Sequence, residues 1–311
     1  MKSSFADRLL HETHEMTRLA RVERRGLIFP LEIVVCFAVI FGVSFLGNLP
    51  LIILKALVSA EWFNSFSSGS SGKLVGITLS VLTSVLFVFY CRFVQKRSPG
   101  SMGFQRKHIA GDALRGLALG LLMISLVVLL GCLLGGFRFD GVTAQLALPA
   151  LGLWLLTFLA EALREEVLCR GFLMISLSRR APMWLAVLAN SLIFGLLHLS
   201  NPGIGILPVV NLSLFGLFAS LYFLRSGSIW RVAVFHAAWN IAQGNLYGLP
   251  VSGVAAQLPT LLRFSPTGSA LVNGGAFGPE GGLPVCGVLL AGIAWLLFAP
   301  EKNTAAQELS A

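Results

Sequence analysis

Eight stretches of this chain are apolar for long enough to enter a lipid bilayer as helices: about 31–54, 74–91, 113–134, 145–163, 183–200, 204–224, 231–247 and a short one at 285–299. A hydrocarbon core of about 30 Å needs roughly 20 apolar residues in helical form. Of the 311 residues only 12% are charged, against about 25% in soluble domains, too few to clothe a water-soluble particle. Disorder is excluded by the same figures, because disordered chains are poor in apolar residues and rich in net charge. Five cysteines, odd in number and without a C-x-x-C pair, exclude a disulfide scaffold. The expected fold is all-α, a polytopic transmembrane bundle of about eight spans.

Charge orients such a bundle. The net charge of +9 fits the Lys and Arg excess of cytoplasmic loops. No basic face is interleaved with aromatic residues, so no nucleic-acid partner is expected. With the N-terminus inside, only Lys55, Lys73, Arg138 and Arg263 of the 23 Lys and Arg fall outside. Both termini are therefore expected in the cytoplasm, and a bacterial inner membrane is the expected location. Residues 1–30 read as a cytoplasmic amphipathic segment on the membrane surface, and the apolar run after it is too long for a signal peptide. Residues 31–299 form the transmembrane domain and 300–311 a cytoplasmic tail. Within the domain, 64–72 (NSFSSGSSG) is expected as a flexible outer loop and 248–284 as a long outer Gly- and Pro-rich segment.

Ionisable groups inside a span are costly, about 2.5–3.5 kcal/mol each at its centre on insertion scales. Three clusters carry them here. The fourth span runs into Glu161-Ala-Leu-Arg164-Glu165-Glu166-Val-Leu-Cys-Arg170. The fifth ends in Phe194-Gly-Leu-Leu-His198, and the seventh contains His236-Ala-Ala-Trp-Asn240. Glu166 and Arg170 are four apart and pair on one helix face. Glu165 lies about 100° around the helix from Glu166 and has no cation four residues on, which leaves it available as a base. Arg179-Arg180-Ala181-Pro182 reads as a cytoplasmic turn between two antiparallel helices. Glu165 and His198 then stand on the order of 21–24 Å from that turn, at similar heights.

A Glu, two His and an Asn converging inside a bundle suit water activation and oxyanion stabilisation. Two imidazoles and a carboxylate also suit Zn2+, in which case Glu165, His198 and His236 are the ligands and Asn240, Glu161 or Glu166 orient them. The sequence leaves metal-dependent and metal-free chemistry both open. His11-Glu12-Thr13-His14 resembles a zinc-protease helix, but its histidines are three apart rather than four and it lies in the polar N-terminal segment. There is no G-x-S-x-G and no paired intramembrane Asp. Gly116-x-x-x-Gly120 predicts a close helix contact, and Asn211, mid-span, is not a glycosylation site.

The run Glu165-Glu166-x-x-x-Arg170, with Phe194-x-x-x-His198 and His236-x-x-x-Asn240, resembles the three motifs of the CPBP intramembrane proteases. That family includes the CAAX prenyl proteases and the bacterial Abi and bacteriocin-processing proteins. The resemblance covers about residues 145–247. It implies an eight-helix membrane endopeptidase with a cavity open to the cytosol, acting on a membrane-bound peptide or protein. In that scheme Glu165 and His198 activate water, His236 and Asn240 hold the oxyanion, and Glu166 and Arg170 support the site. Two other readings stand beside it: a membrane scaffold or bacteriocin-immunity factor that cleaves nothing, and a transporter or proton relay, against which no inverted repeat is found.

Overall fold

The structure, a computed structural model, describes residue 6 and residues 27–143, 148–255 and 260–299. The expected amphipathic segment (apart from residues 6 and 27–30), the His11–His14 run and the 300–311 tail lie outside the described residues. The chain is mostly helical. It begins with α1 (Phe29–Leu57), α2 (Ala60–Ser68) and α3 (Ser70–Phe89), the last running on as a π-helical turn to Val94. Then come α4 (Ile109–Leu133), strand β1 (Phe137–Val142) and α5 (Leu148–Glu166), which passes through a π segment (Val167–Met174) into α6 (Ile175–Ser178). Next are α7 (Met183–Leu196), α8 (Ile206–Ser226) and α9 (Ile229–Ile241), which carries a π turn to Leu246. Strand β2 (Leu262–Pro266), α10 (Ala270–Asn273) and α11 (Leu283–Phe298) complete the fold.

Each of the eight apolar stretches is helical over most of its length. Four of the described helices are long and apolar enough to cross a membrane: α1, α3 with its π turn, α4 and α8. They make the chain a multi-pass membrane protein. α7 and α11 are apolar but shorter. The outward side chains are what lipid requires; Phe41, Phe45 and Leu46 of α1 are each more than 60% exposed.

Lipid tails are as apolar as leucine, so helices in a membrane are held by close packing and by polar contacts rather than by hydrophobic expulsion. The expected Gly116/Gly120 contact illustrates the first. Both glycines are buried on α4 against α9, where a Cβ on Gly116 would collide with the carbonyl of Arg231 and one on Gly120 with that of Phe235. Many of the polar contacts gather at the two ends of the bundle. At one end Gln95 Nε2 donates to Glu32 Oε1 and to Ser176 Oγ, 2.8 Å each, and Arg180 pairs with Glu32 at 3.5 Å. Arg97 donates to the Gly171 carbonyl at 2.7 Å, Ile229 N to the Gly103 carbonyl at 2.8 Å, and Arg231 pairs with Asp112. Arg92, Lys96, Arg106 and Lys107 belong to the same end, so it is strongly basic.

The opposite end holds α2, the strands and the Gly-rich segment, and two expectations change there. Residues 64–72 are not a flexible loop. Ser59 caps α2 by accepting from Trp62 N at 3.2 Å, and Trp62 stacks on Phe66 one turn later. Only Gly69, in extended backbone, breaks the helix before α3. Nor is the fold wholly helical: β1 and β2 pair antiparallel with Phe139 opposite Phe264, and the register shifts between Phe139 and Gly141. Beside that bulge the Ser265 hydroxyl and Arg138 hold the Asp140 carboxyl below the usual carboxylate range. The described residues of the 248–284 segment, finally, are folded onto the bundle. Phe277 and Glu280 are buried, and Asn211 of α8 donates to the Glu280 and Gly282 carbonyls at 2.8 Å. Asn211 is thus a helix clamp.

Gly120→Val should lower the thermal unfolding midpoint in detergent, overpacking of this kind costing about 1–3 kcal/mol. Gly111→Ala, on the same helix with nothing within 4 Å of its Cβ position, should leave the midpoint unchanged.

Candidate active site

The site begins in the α5–α6 helix. Glu165 and Glu166 close its regular part, and Arg170 falls in the π segment that follows. A π turn is a rare device that tends to mark functional sites. Here the wider turn sets Arg170 over Glu166, and Nη1 donates to Oε1 at 3.0 Å with both side chains fully buried. The other arm of the guanidinium, Nη2, donates to the Gly216 carbonyl of α8 at 3.0 Å. The plane of Arg170 also lies over the Phe194 ring, 4.6 Å from its centre, a cation–π contact in a desolvated place.

His198 sits just past the end of α7. Its Nδ1 is 2.8 Å from the Phe194 carbonyl. A carbonyl only accepts, so Nδ1 carries the proton and Nε2 keeps a lone pair in the neutral ring. His236 of α9 is fixed in the same way by a charged partner: its Nδ1 is 2.9 Å from Glu166 Oε1, while Nε2 is 4.0 Å from Glu165 Oε2. Phe215 and Phe194 meet the His236 ring edge to face, at 4.9 and 6.0 Å. Glu165 Oε1 accepts from Arg164 Nη2 at 3.1 Å. Its cation is therefore the preceding residue rather than one four residues on.

Glu165, His198, His236 and Asn240 all line one cavity of about 580 Å3, within the size range of small-molecule and substrate sites. Glu161 and Arg164 also line it, with Asn201 just beyond His198. Its far wall comes from α1 and α3 (Ser44, Lys73, Thr83), and Ser252 and Val254 of the Gly-rich segment close over it. Glu166 and Arg170 do not reach it; they stand behind the wall and hold His236. Among the described residues no three His, Cys, Asp or Glu side chains converge closely enough to hold a metal ion. The Glu165/His198/His236 set is not gathered as a ligand sphere.

A family model, Type II CAAX prenyl endopeptidase Rce1-like, matches residues 147–242. These residues form a CPBP-family domain. All three polar motifs lie inside it. No curated protein and no solved structure matches the chain.

Outside the stretch matched to the CPBP family, one acid completes the surroundings of the cavity. Glu280 Oε2 accepts from Ser252 N at 2.5 Å, from Ser252 Oγ at 2.9 Å and from Gln243 Nε2 at 3.2 Å. Asn201 Nδ2 in turn donates to the Ser252 carbonyl at 2.8 Å. Glu280 thereby ties the segment over the cavity to the helices that carry His198 and Asn240. The sequence reading passed over it; the available signal was a single acid in the run GGAFGPEGGLP.

Arg170→Met should strongly destabilise the protein, because leaving a buried carboxylate without its cation costs about 3–5 kcal/mol. Arg170→Lys should restore little of the loss, since an ammonium lacks the planar fork that serves Glu166 and Gly216 together. Thermal unfolding in detergent measures both.

Proposed function

We propose that this protein is an intramembrane endopeptidase that hydrolyses a peptide bond of a membrane-associated protein or peptide. The family of residues 147–242 implies a protein or peptide substrate. The observation that carries the reading is the meeting of Glu165, His198, His236 and Asn240, from three separate helical segments, at one cavity. Around them the bundle is composed of apolar helices with eight spans and both termini in the cytoplasm, in a bacterial inner membrane.

In the reaction, water lies between Glu165 and His198. Glu165 takes a proton from it as the water oxygen adds to the scissile carbonyl carbon, and the Nε2 lone pair of His198 orients it. The oxyanion that forms faces Asn240 Nδ2 and, when the ring is protonated, His236 Nε2–H. Glu165 then passes its proton to the amide nitrogen as the C–N bond breaks, leaving a new carboxyl terminus and a new amine. Glu166 and Arg170 act as positioning residues: they hold Nδ1 of His236 so that Nε2 faces the reacting atoms. Such fixed donors cost no reorganisation at the moment of reaction.

Glu165→Gln keeps the size of the side chain and removes the base. Loss of a positioned general base costs on the order of 10²–10⁴-fold in rate, so cleavage of a reconstituted membrane peptide reporter should fall by that factor with unchanged folding. A scaffold or immunity factor would keep its cellular activity in Glu165→Gln, and that result would displace the peptidase reading.

A further inference from the structure

The bundle has two chemically distinct ends, and the cavity belongs to one of them. Its mouth is made at the Gly-rich end, by Ser68 at the end of α2, Lys73 near the start of α3, Asn201 beyond α7, and Ser252 and Val254, and its floor reaches the middle of the bundle at Thr83, Glu165 and Cys169. Among the described residues none comes from the basic end, that is, from 90–108, 170–182 or 223–231. The way through from that end is closed by packed side chains: Phe87, Met102, Phe172, Met174, Met183 and Phe223 are all completely buried. At the opposite end Val254 is 50% exposed and Ser68 lies open at the rim. Basic loops stay on the cytoplasmic side of a membrane protein.

We infer that the cavity is entered from the non-cytoplasmic face, the reverse of the cytosolic opening that family resemblance implies. Its substrate is a membrane-tethered polypeptide that presents the scissile segment at the outer surface, and not a modified C-terminus offered from the cytosol. The nature of what enters rests on the peptidase reading; the side of entry does not.

Single cysteines at the two ends separate these possibilities, with the unmodified protein as the blank for its five free cysteines. Ser68→Cys should react with a membrane-impermeant maleimide in right-side-out vesicles and not in inside-out vesicles. Gln105→Cys, exposed at the basic end, should do the reverse. Labelling Ser68→Cys from outside should also abolish the cleavage that the same variant shows unlabelled. Ser68→Cys reacting only in inside-out vesicles, reacting on the same side as Gln105→Cys, or reacting in neither preparation would overturn the inference. The expected labelling pattern without any cleavage by the unmodified protein would uphold the side of entry and defeat the peptidase reading.

Discussion

One carboxylate oxygen, Oε1 of Glu166, accepts from both Arg170 and His236, and the arrangement of four helices follows from it. The carboxylate stands at the end of α5, the imidazole on α9, and the second arm of the guanidinium reaches the backbone of α8. The face of the guanidinium lies on Phe194 of α7. A charge buried in so apolar a bundle is tolerable only with its partners in place, so the three hydrogen bonds specify how these helices meet. They also account for the π segment, which lets Arg170 lie above Glu166 while the helix continues to the basic turn.

Either side of that centre, the bundle is held by contacts suited to lipid. Glycines bring α4 within backbone contact of α9, which carries His236, and so fix its height. Glu32, Gln95, Ser176 and Arg180 clamp the basic end, and Glu280, Ser252, Gln243 and Asn201 clamp the other. The packed core near the basic end leaves no space, whereas α1 packs on α3 and stands back from α5. The cavity is that gap, and Glu165 is the carboxylate turned into it while its neighbour Glu166 is turned away. Two adjacent acids thus take separate roles because successive residues of a helix point about 100° apart.

Much of the site was legible in the residues. A charged or imidazole side chain in an apolar run demands an explanation, and the spacing of four in Glu166/Arg170 and His236/Asn240 puts each pair on one face. The hairpin turn at Arg179–Pro182 placed Glu165 and His198 at similar heights, and both line the cavity. What escaped were contacts between residues remote in sequence. Pairing of β1 with β2 joins segments more than a hundred residues apart, and neither strand has a length or alternation that stands out beside the helices. The helix at 60–68 was hidden by its serines, whose weak helical preference is overridden by the Ser59 cap and the Trp62–Phe66 stack. Glu280 carries no local pattern that marks it; only the fold reveals three donors converging on it.

The sequence alone determined that this chain is a membrane-embedded helical protein and which few polar residues its spans carry, because hydrocarbon imposes length and apolarity residue by residue. It also determined the division between basic and non-basic ends, since charge is read segment by segment. Tertiary structure decided which carboxylate faces the cavity, which is tied to Arg170 and His236, and at which end the cavity lies. Those outcomes depend on the rotation of each helix about its own axis and on how the helices around the cavity are spaced. Both are set by contacts across helices, which no local pattern contains.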